Sequence, residues 1–402
     1  MKNSQIISRF NYLYIALILL WSPLQGTIIT FDAKGRILLA LTLMAFIVNF
    51  NKAGARKILT SKPVAFWLVW CIYVTFNTYL QGFSVTNTPF LYFVVNKVFC
   101  PLVIMTVCAY EYLKNPQRFL KTGLLVFLIY ALIGTFVMDI GYVALEEGNM
   151  NANTLGNLLA LNVMLIIFFI GVRYCRKEMS LTYVVTLILF AIGIVVVSAT
   201  RKALGAGIIM IVALMLSQIK FTFGNFLKMV VPTIVLYYGI IFMLGNTKMG
   251  ERMRELEEQA DNIEMTYNIG DNAFLRSVGD RAPQYILGYK VFKENPITGV
   301  GLLNFRHASG HPAVLHTEYM VQICECGIIG CILFIMFYFS IIKMLLKKIK
   351  LGKFERSIAI MMLGTLVALL FIYLTAWSYS FPFYFAVLGT IVGFIYSKKQ
   401  YI

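Results

Sequence analysis

The sequence predicts an all-α fold, a polytopic membrane bundle of about twelve transmembrane helices. Of the 402 residues, 59% are hydrophobic and only 13% are charged, whereas a typical soluble domain is about half apolar and about a quarter charged. Apolar runs that approach the length needed to cross a bilayer, about 20 residues, recur along the whole chain, and basic residues concentrate in alternate loops between them. An ordinary soluble protein is therefore excluded.

The apolar runs begin close to the amino terminus and continue to the carboxyl terminus. They lie near residues 10–27, 36–50, 64–80, 90–109, 122–139, 154–172, 181–198, 203–217, 229–245, 316–342, 358–377 and 380–396. An even number of spans places both termini on one side of the membrane. The first run has no small-residue cleavage site after it, so we expect no removable signal peptide.

The distribution of Lys and Arg predicts the orientation, because short positively charged loops stay in the cytoplasm. With a cytoplasmic amino terminus, the cytoplasmic loops hold 22 basic and three acidic residues. The net charge of +17 is then a feature of the cytoplasmic face. Nucleic-acid binding would need basic residues on one exposed domain, and the pattern contains no such domain, so no nucleic-acid partner is expected.

One outer loop, residues 246–315, is about 70 residues long, far longer than the few residues of a usual connection. Its second part, PQYILGYKVFKEN, places Ile286, Tyr289 and Phe292 at helical spacing. This pattern predicts an amphipathic helix that lies on the membrane surface. A lid that packs on the bundle is the alternative.

Metal chemistry is not expected, although His307, His311 and His316 lie within ten residues. The sequence around them contains Gly and Pro, and no nearby cysteine or suitably placed carboxylate completes a metal site. The seven cysteines lie mostly in apolar runs without paired spacing. They are predicted to be buried thiols that behave as small hydrophobic residues.

Two basic positions at the outer face could bind phosphate. Arg201, followed by Lys202, lies in the turn between two spans, and Arg281 precedes the amphipathic helix. An arginine side chain can bind phosphate oxygens through two parallel hydrogen bonds. The alternative for Arg201 is a snorkelling anchor at the headgroups.

His316 begins the tenth predicted span in the run LHTEYMVQICECGIIG. The amino terminus of a helix and nearby arginines both disfavour an imidazolium. A neutral imidazole can accept a proton near pH 7. A histidine that only anchors the helix at the membrane surface is the alternative.

Three stretches together resemble the O-antigen ligase and polymerase superfamily of bacterial membrane glycosyltransferases. SATRKALGAG resembles its arginine turn, with Arg201 on the arginine, and GDRAPQYILGYKVFKENPITGVGLLNF resembles its block of arginine, amphipathic helix, proline and glycines, with Arg281 on the arginine. HTEYMVQICECGIIGCILF resembles its histidine-led helix, with His316 on the histidine, and EEGNMNANTLGNLLA is a weaker match around Asn153. The chain departs from the pattern at Thr200, Tyr285 and Thr317, where serine, tryptophan and asparagine are usual.

The resemblance implies a GT-C-like, metal-independent transferase without a cofactor. It would act at the periplasmic or outer face of the bacterial inner membrane on a glycan carried by undecaprenyl diphosphate. Arg201 and Arg281 would bind the diphosphate, and His316 would act as the base in an inverting transfer to a sugar hydroxyl. Lys202, Asn153 and Arg306 are expected to bind substrate.

Both reactions of this superfamily stay open. A ligase transfers the finished glycan to the lipid A core of lipopolysaccharide, and a polymerase transfers the growing glycan to a single lipid-linked repeat. Membrane lipids, and a flippase and a chain-length regulator of the same pathway, are the other expected partners. A lipid-linked oligosaccharide transporter or a non-catalytic assembly partner is the alternative from another class.

The chain is expected to divide into three regions. Residues 1–139 would form helices 1–5, residues 140–345 the ligase- or polymerase-like core with its outer loop, and residues 346–402 the last two helices.

Overall fold

A computed structural model of the protein confirms the all-α fold in the part of the chain that it describes. It describes the backbone of residues 2–24, 31–50, 52–82, 90, 94, 98–146, 152–197, 201–218, 282–310, 315, 317–374 and 382–397. Every regular element within these ranges is helical.

Nine helices are described between residues 2 and 218. They are α1 (Lys2–Leu24), α2 (Phe31–Phe50), α3 (Ala53–Leu59), α4 (Lys62–Leu80), α5 (Cys100–Lys114), α6 (Pro116–Glu146), α7 (Ala152–Cys175), α8 (Leu181–Val197) and α9 (Arg201–Gln218). Within the predicted outer loop the chain forms α10 (Ala282–Glu294) and α11 (Phe305–Ser309). After the loop it forms α12 (Glu318–Met320), a π-helical turn (Val321–Glu325), α13 (Gly327–Ile349), α14 (Lys353–Ile372) and α15 (Pro382–Tyr396).

Three of the described helices, α4, α13 and α14, are long and apolar enough to cross a membrane. A bent pair, Arg36–Phe50 with Ala53–Leu59, would make a fourth span. The total of about twelve spans and the sidedness of the termini stay predictions. The predicted span near 229–245 and residues 246–281 of the outer loop lie outside the described residues.

Small residues let the central helices pack closely. A Cβ atom on Gly393 of α15 would lie 2.8 Å from the carbonyl oxygen of Ala109 on α5. Gly364 of α14 packs in the same way against Ala213 of α9. Close approach through small residues is how membrane helices gain packing energy without a hydrophobic driving force.

Six of the cysteines are buried, Cys331 is half-buried, and all seven are free thiols. This confirms their interpretation as small apolar residues.

A buried carboxylate lies near the predicted cytoplasmic end of the bundle. Glu111 is 1% exposed and accepts hydrogen bonds from Ser8 Oγ at 3.0 Å and Asn11 Nδ2 at 2.6 Å. Asn11 and Asn49 also exchange amide hydrogen bonds of 2.8 and 2.7 Å. These contacts tie α1 and α2 to α5 through polar groups that are satisfied inside the protein, as an apolar environment requires.

The tenth predicted span, 316–342, is wrong as a continuous helix. The chain forms α12 and the π-helical turn, breaks at Cys326, and resumes as α13 at Gly327, whose φ of +65° is left-handed. The run 316–342 was read as one span from its overall hydropathy, which did not reveal this break.

Candidate functional site

Of the predicted site residues, some are described with their side chains, some by their backbone alone and some not at all. Arg281 and His316 lie outside the described residues. Arg201 and Asn153 lie in the first turns of α9 and α7, but their side chains are not among the described ones. Lys202 is half-buried, and Arg306 is exposed on α11. The meeting of Arg201, Arg281 and His316 in one site therefore stays a prediction, whereas the segments next to them are described.

The segment that follows His316 is attached to the carboxyl-terminal end of α14. The backbone N–H of Glu318 donates to the carbonyl oxygen of Tyr373 at 3.0 Å. The hydroxyl of Tyr319 donates to the carbonyl oxygen of Leu370 at 2.8 Å. Thr317 caps this short helix, since its Oγ1 accepts from the N–H of Met320 at 3.1 Å. Threonine thus performs the capping for which asparagine is also suited.

The helix that follows Arg281 reaches the same place. The hydroxyl of Tyr285 in α10 donates to the carbonyl oxygen of Leu374 at 3.4 Å. Further along α10, Gly288 packs against Met320, and its carbonyl oxygen accepts from Cys324 Sγ at 2.9 Å. The first turn of α10 is therefore held beside the end of α14 and the segment after His316.

The helix that begins at Arg201 reaches this end of α14 as well. Gly205, one turn after Arg201, packs on the ring of Phe371, and a Cβ atom there would lie 2.7 Å from Cε1. Helix α9, which begins at Arg201, helix α10, which follows Arg281, and the segment that follows His316 thus all contact the last turn of α14 or the two residues after it.

The amphipathic helix α10 bears on two alternatives from the sequence, a helix on the membrane surface and a lid that packs on the bundle. Gln284, Gly288 and Val291 are buried against the bundle, which is the behaviour of a packed lid. Tyr289 is 58% exposed, and Lys293 Nζ lies 4.6 Å from its ring centroid. Ile286 and Phe292 are half-buried, so the exposed face is narrower than predicted, and its location at the membrane surface stays a prediction.

The loop after α10 fills the break before α13. The N–H groups of Val300 and Gly301 donate to the carbonyl oxygens of Cys324 and Glu325 at 3.1 and 2.9 Å. In the other direction, the N–H of Ile328 donates to the carbonyl oxygen of Pro296 at 2.9 Å. Buried backbone groups at a helix break need hydrogen-bond partners, and this loop supplies them here.

Side chains of helix α4 also form hydrogen bonds with this loop and with the break. Tyr73 Oη donates to the carbonyl oxygen of Cys326 at 2.9 Å, and Asn77 Nδ2 donates to that of Thr298 at 2.7 Å. Thr78 Oγ1 accepts from the N–H of Leu302 at 2.9 Å. The stretches GVG (299–301) and CGIIG (326–330) therefore pack against each other where this loop meets α13. This contact is called the joint below.

A buried glutamate holds the end of this loop. Glu325 Oε2 accepts from the N–H of Leu303 at 2.9 Å, and Leu303 has the left-handed φ of +66°. Glu325 lies before the spanning helix α13. Burial raises the pKa of its carboxyl to about 8, against the opposing effect of backbone hydrogen bonds from Leu303 and Phe305. A left-handed leucine is strained, so the carboxyl group of Glu325 holds a conformation that the chain would otherwise avoid.

A second buried glutamate was missed at the level of sequence. Glu318 is 0% exposed, and its Oε1 accepts from Gln322 Nε2 at 2.8 Å. Gln322 Oε1 in turn accepts from Trp70 Nε1 at 2.9 Å. The signal was present, because an ionisable residue inside an apolar run is costly and marks a functional site by default.

Residues 185–335 match the family model described as O-antigen ligase. This match contains Arg201, Arg281 and His316, and it confirms the resemblance to the O-antigen ligase and polymerase superfamily. No curated protein matches the chain.

Proposed function

We propose, on the premise of an O-antigen ligase-type domain over residues 185–335, that this membrane protein is an inverting glycosyltransferase of surface-polysaccharide assembly. Its donor is a glycan on undecaprenyl diphosphate, and its acceptor is a sugar hydroxyl at the outer face of the cytoplasmic membrane. The acceptor belongs either to the lipid A core, for a ligase, or to a single lipid-linked repeat, for a polymerase.

The observation that carries the proposal is the common attachment of three segments to the end of α14. Phe371 contacts the helix of Arg201, Leu374 contacts the helix after Arg281, and Tyr373 contacts the segment after His316. Three segments far apart in sequence therefore meet at one end of α14. A protein that needed these elements only as membrane anchors would not need them at one place.

The proposed mechanism gives separate roles to three side chains. Arg201 and Arg281 bind the diphosphate and stabilise the negative charge that grows as it leaves, which is the largest single effect in many enzymes. Neutral His316 accepts the proton of the acceptor hydroxyl as its oxygen attacks the anomeric carbon from the opposite face. The anomeric bond to the diphosphate breaks in the same step, and the configuration inverts.

The other predicted residues have supporting roles in this proposal. Lys202 follows Arg201 in the first turn of α9, Asn153 lies in the first turn of α7, and Arg306 is exposed on α11. All three lie at predicted outer ends of their elements, where a lipid-linked glycan would be bound. Each supplies a hydrogen-bond donor that suits phosphate or sugar oxygens.

The test is glycan transfer by purified protein in lipid vesicles, from a defined undecaprenyl-diphosphate glycan to candidate acceptors. Inverted product on either acceptor supports the proposal, and the productive acceptor identifies the reaction. His307→Ala is a matched control, since His307 is an exposed histidine of the same outer region. Absence of transfer to both acceptors by a folded protein contradicts the proposal.

A further inference from the structure

Helix α11 is a short element whose position depends on its anchors. It has five residues, Phe305–Ser309, and an isolated helix of that length is not stable, because its few hydrogen bonds do not offset the cost of nucleation. The ring of Phe305 is buried in the bundle, whereas Arg306 and His307 beside it are exposed. The place at which these two side chains meet a ligand is therefore set by the groups that hold the start of α11.

Asn304, the residue before α11, ties the helix to the end of α4. Its side chain is 3% exposed, and its Nδ2 donates to the carbonyl oxygen of Gly82 at 2.8 Å and to that of Val300 at 2.9 Å. Gly82 lies two residues after the last residue of α4. Because burying an amide is costly unless its donors are paired, these two bonds hold the start of α11 against the spanning helix.

Glu325 anchors the same point through the backbone. Its Oε2 accepts from the N–H of Leu303 at 2.9 Å, and its carboxyl also receives a backbone hydrogen bond from Phe305. Leu303 keeps a left-handed φ of +66°. Strain of this kind persists only where the surroundings impose it, and it concentrates at functional sites. A connection that only joined two helices would not need a strained leucine held by a buried glutamate.

Helix α11 lies beside the candidate site. It contacts α10, and α10 reaches the end of α14 through the hydrogen bond from Tyr285 to Leu374. Among the residues that the structure describes, no hydrogen bond or ion pair of the Arg306 guanidinium is found. This exposed group therefore keeps all its donors for a ligand, and its planar fork suits paired oxygen atoms.

We propose that Glu325 and Asn304 are positioning residues, which hold α11 so that Arg306 binds the glycan of the lipid-linked donor. This inference rests on the proposed function. Since Arg201 and Arg281 are assigned to the diphosphate there, the oxygens left for Arg306 are those of the sugars. A contact away from the bond that breaks contributes equally to substrate and transition state, so it lowers KM and leaves kcat unchanged.

The test compares Glu325→Ala, Arg306→Ala and the double variant with wild type in the vesicle transfer assay. Each single variant should raise KM for the defined donor about 10-fold, the equivalent of about 1.4 kcal/mol, with kcat nearly unchanged. Because Glu325 acts through Arg306, the double variant should have the same KM as Arg306→Ala. Glu325→Gln keeps an oxygen that can accept from Leu303, so its KM should stay close to that of wild type.

Undecaprenyl diphosphate without a glycan shows which part of the donor Arg306 contacts. As an inhibitor of transfer, it should be equally effective on wild type, Glu325→Ala and Arg306→Ala. Weaker inhibition of both variants would place the contact on the diphosphate and would contradict the assignment to the glycan.

Glu111→Ala is the matched control. Glu111 is also a buried glutamate that accepts hydrogen bonds, from Ser8 and Asn11, but it lies near the predicted cytoplasmic end. Its replacement should leave KM for the donor as in wild type, even where it lowers the melting temperature. An equal rise of KM in Glu111→Ala and Glu325→Ala would point to a general effect of instability and would overturn the positioning role.

The outcomes separate this inference from the proposed function. If wild-type protein transfers no glycan, the proposed function fails, and this inference fails with it. If wild type is active but Glu325→Ala keeps its KM, or if the effects of Glu325→Ala and Arg306→Ala add, Glu325 does not act through Arg306. Should Glu325→Ala not insert, Asn304→Ala decides by the same comparison, because an unchanged KM or additive effects in that variant also overturn the inference.

Discussion

Gly299 and Gly327 pack backbone against backbone at the joint between the outer loop and α13. A Cβ atom on Gly327 would lie 2.5 Å from the amide nitrogen of Gly299, and one on Gly299 would lie 2.6 Å from the amide nitrogen of Gly327. Both residues have left-handed φ angles, +70° and +65°. Each position therefore requires glycine for its conformation and for its space.

Replacing either glycine by alanine should destabilise the protein strongly. The left-handed conformation costs about 1–2 kcal/mol for a residue with a Cβ atom, and overpacking against backbone costs about 1–3 kcal/mol more. Thermal unfolding in detergent measures the effect as a lower melting temperature. Gly193→Ala is the control, because nothing lies within 4 Å of a Cβ atom there. Equal melting temperatures for all three variants would show that the joint is not packed in this way.

Glu325 should make stability depend on pH. Its pKa is raised from 4.5 to about 8 by burial, so the folded protein prefers the protonated carboxyl. The resulting stabilisation is fully present below pH 4.5, is lost as the pH rises towards 8, and is absent above that value. Melting temperatures of wild type should fall over this interval more steeply than those of Glu325→Gln. Parallel curves for the two proteins would contradict the account of this group.

Gly205 should control the position of the helix that carries Arg201. A leucine at this position would displace the ring of Phe371, and we expect a loss of about 1–3 kcal/mol in stability together with reduced transfer. Phe371→Ala in the same protein should restore part of both, since it makes room for the new side chain. Gly207→Ala is the control, because the nearest atom to its Cβ, Ile167 Cδ1, is 3.6 Å away. Failure of the double variant to recover any transfer would argue against this coupling.

The sequence predicted the features that depend on residues close to one another along the chain. The apolar runs 181–198 and 203–217 became helices Leu181–Val197 and Arg201–Gln218, because length and hydropathy define a spanning helix. The break at Gly327 was missed, because the groups that satisfy its backbone, such as Tyr73 and Val300, come from distant parts of the chain. The convergence at α14 was likewise beyond local patterns, since Phe371 and Gly205 meet only in the folded bundle.

Alanine at His316, Arg201 or Arg281 should nearly abolish surface polysaccharide in cells while the protein inserts normally. A positioned base contributes about 10²- to 10⁴-fold to the rate, and one preorganised donor at a developing charge contributes about 10²- to 10³-fold. Polysaccharide on the cell surface and protein in the membrane fraction are measured together. Arg36→Ala, at an exposed arginine of the predicted outer side, should behave as wild type. Normal polysaccharide levels in the three variants would dispose of the mechanism.

A structure with a bound undecaprenyl-diphosphate analogue would show whether Arg201, Arg281 and His316 meet in one site. Both guanidinium groups should then lie about 2.7–2.9 Å from the diphosphate oxygens, as in charge-assisted hydrogen bonds. The imidazole of His316 should lie in the same cavity and face the anomeric carbon from the side opposite the diphosphate. Side chains that lie tens of ångströms apart, or that face the lipid, would contradict this prediction.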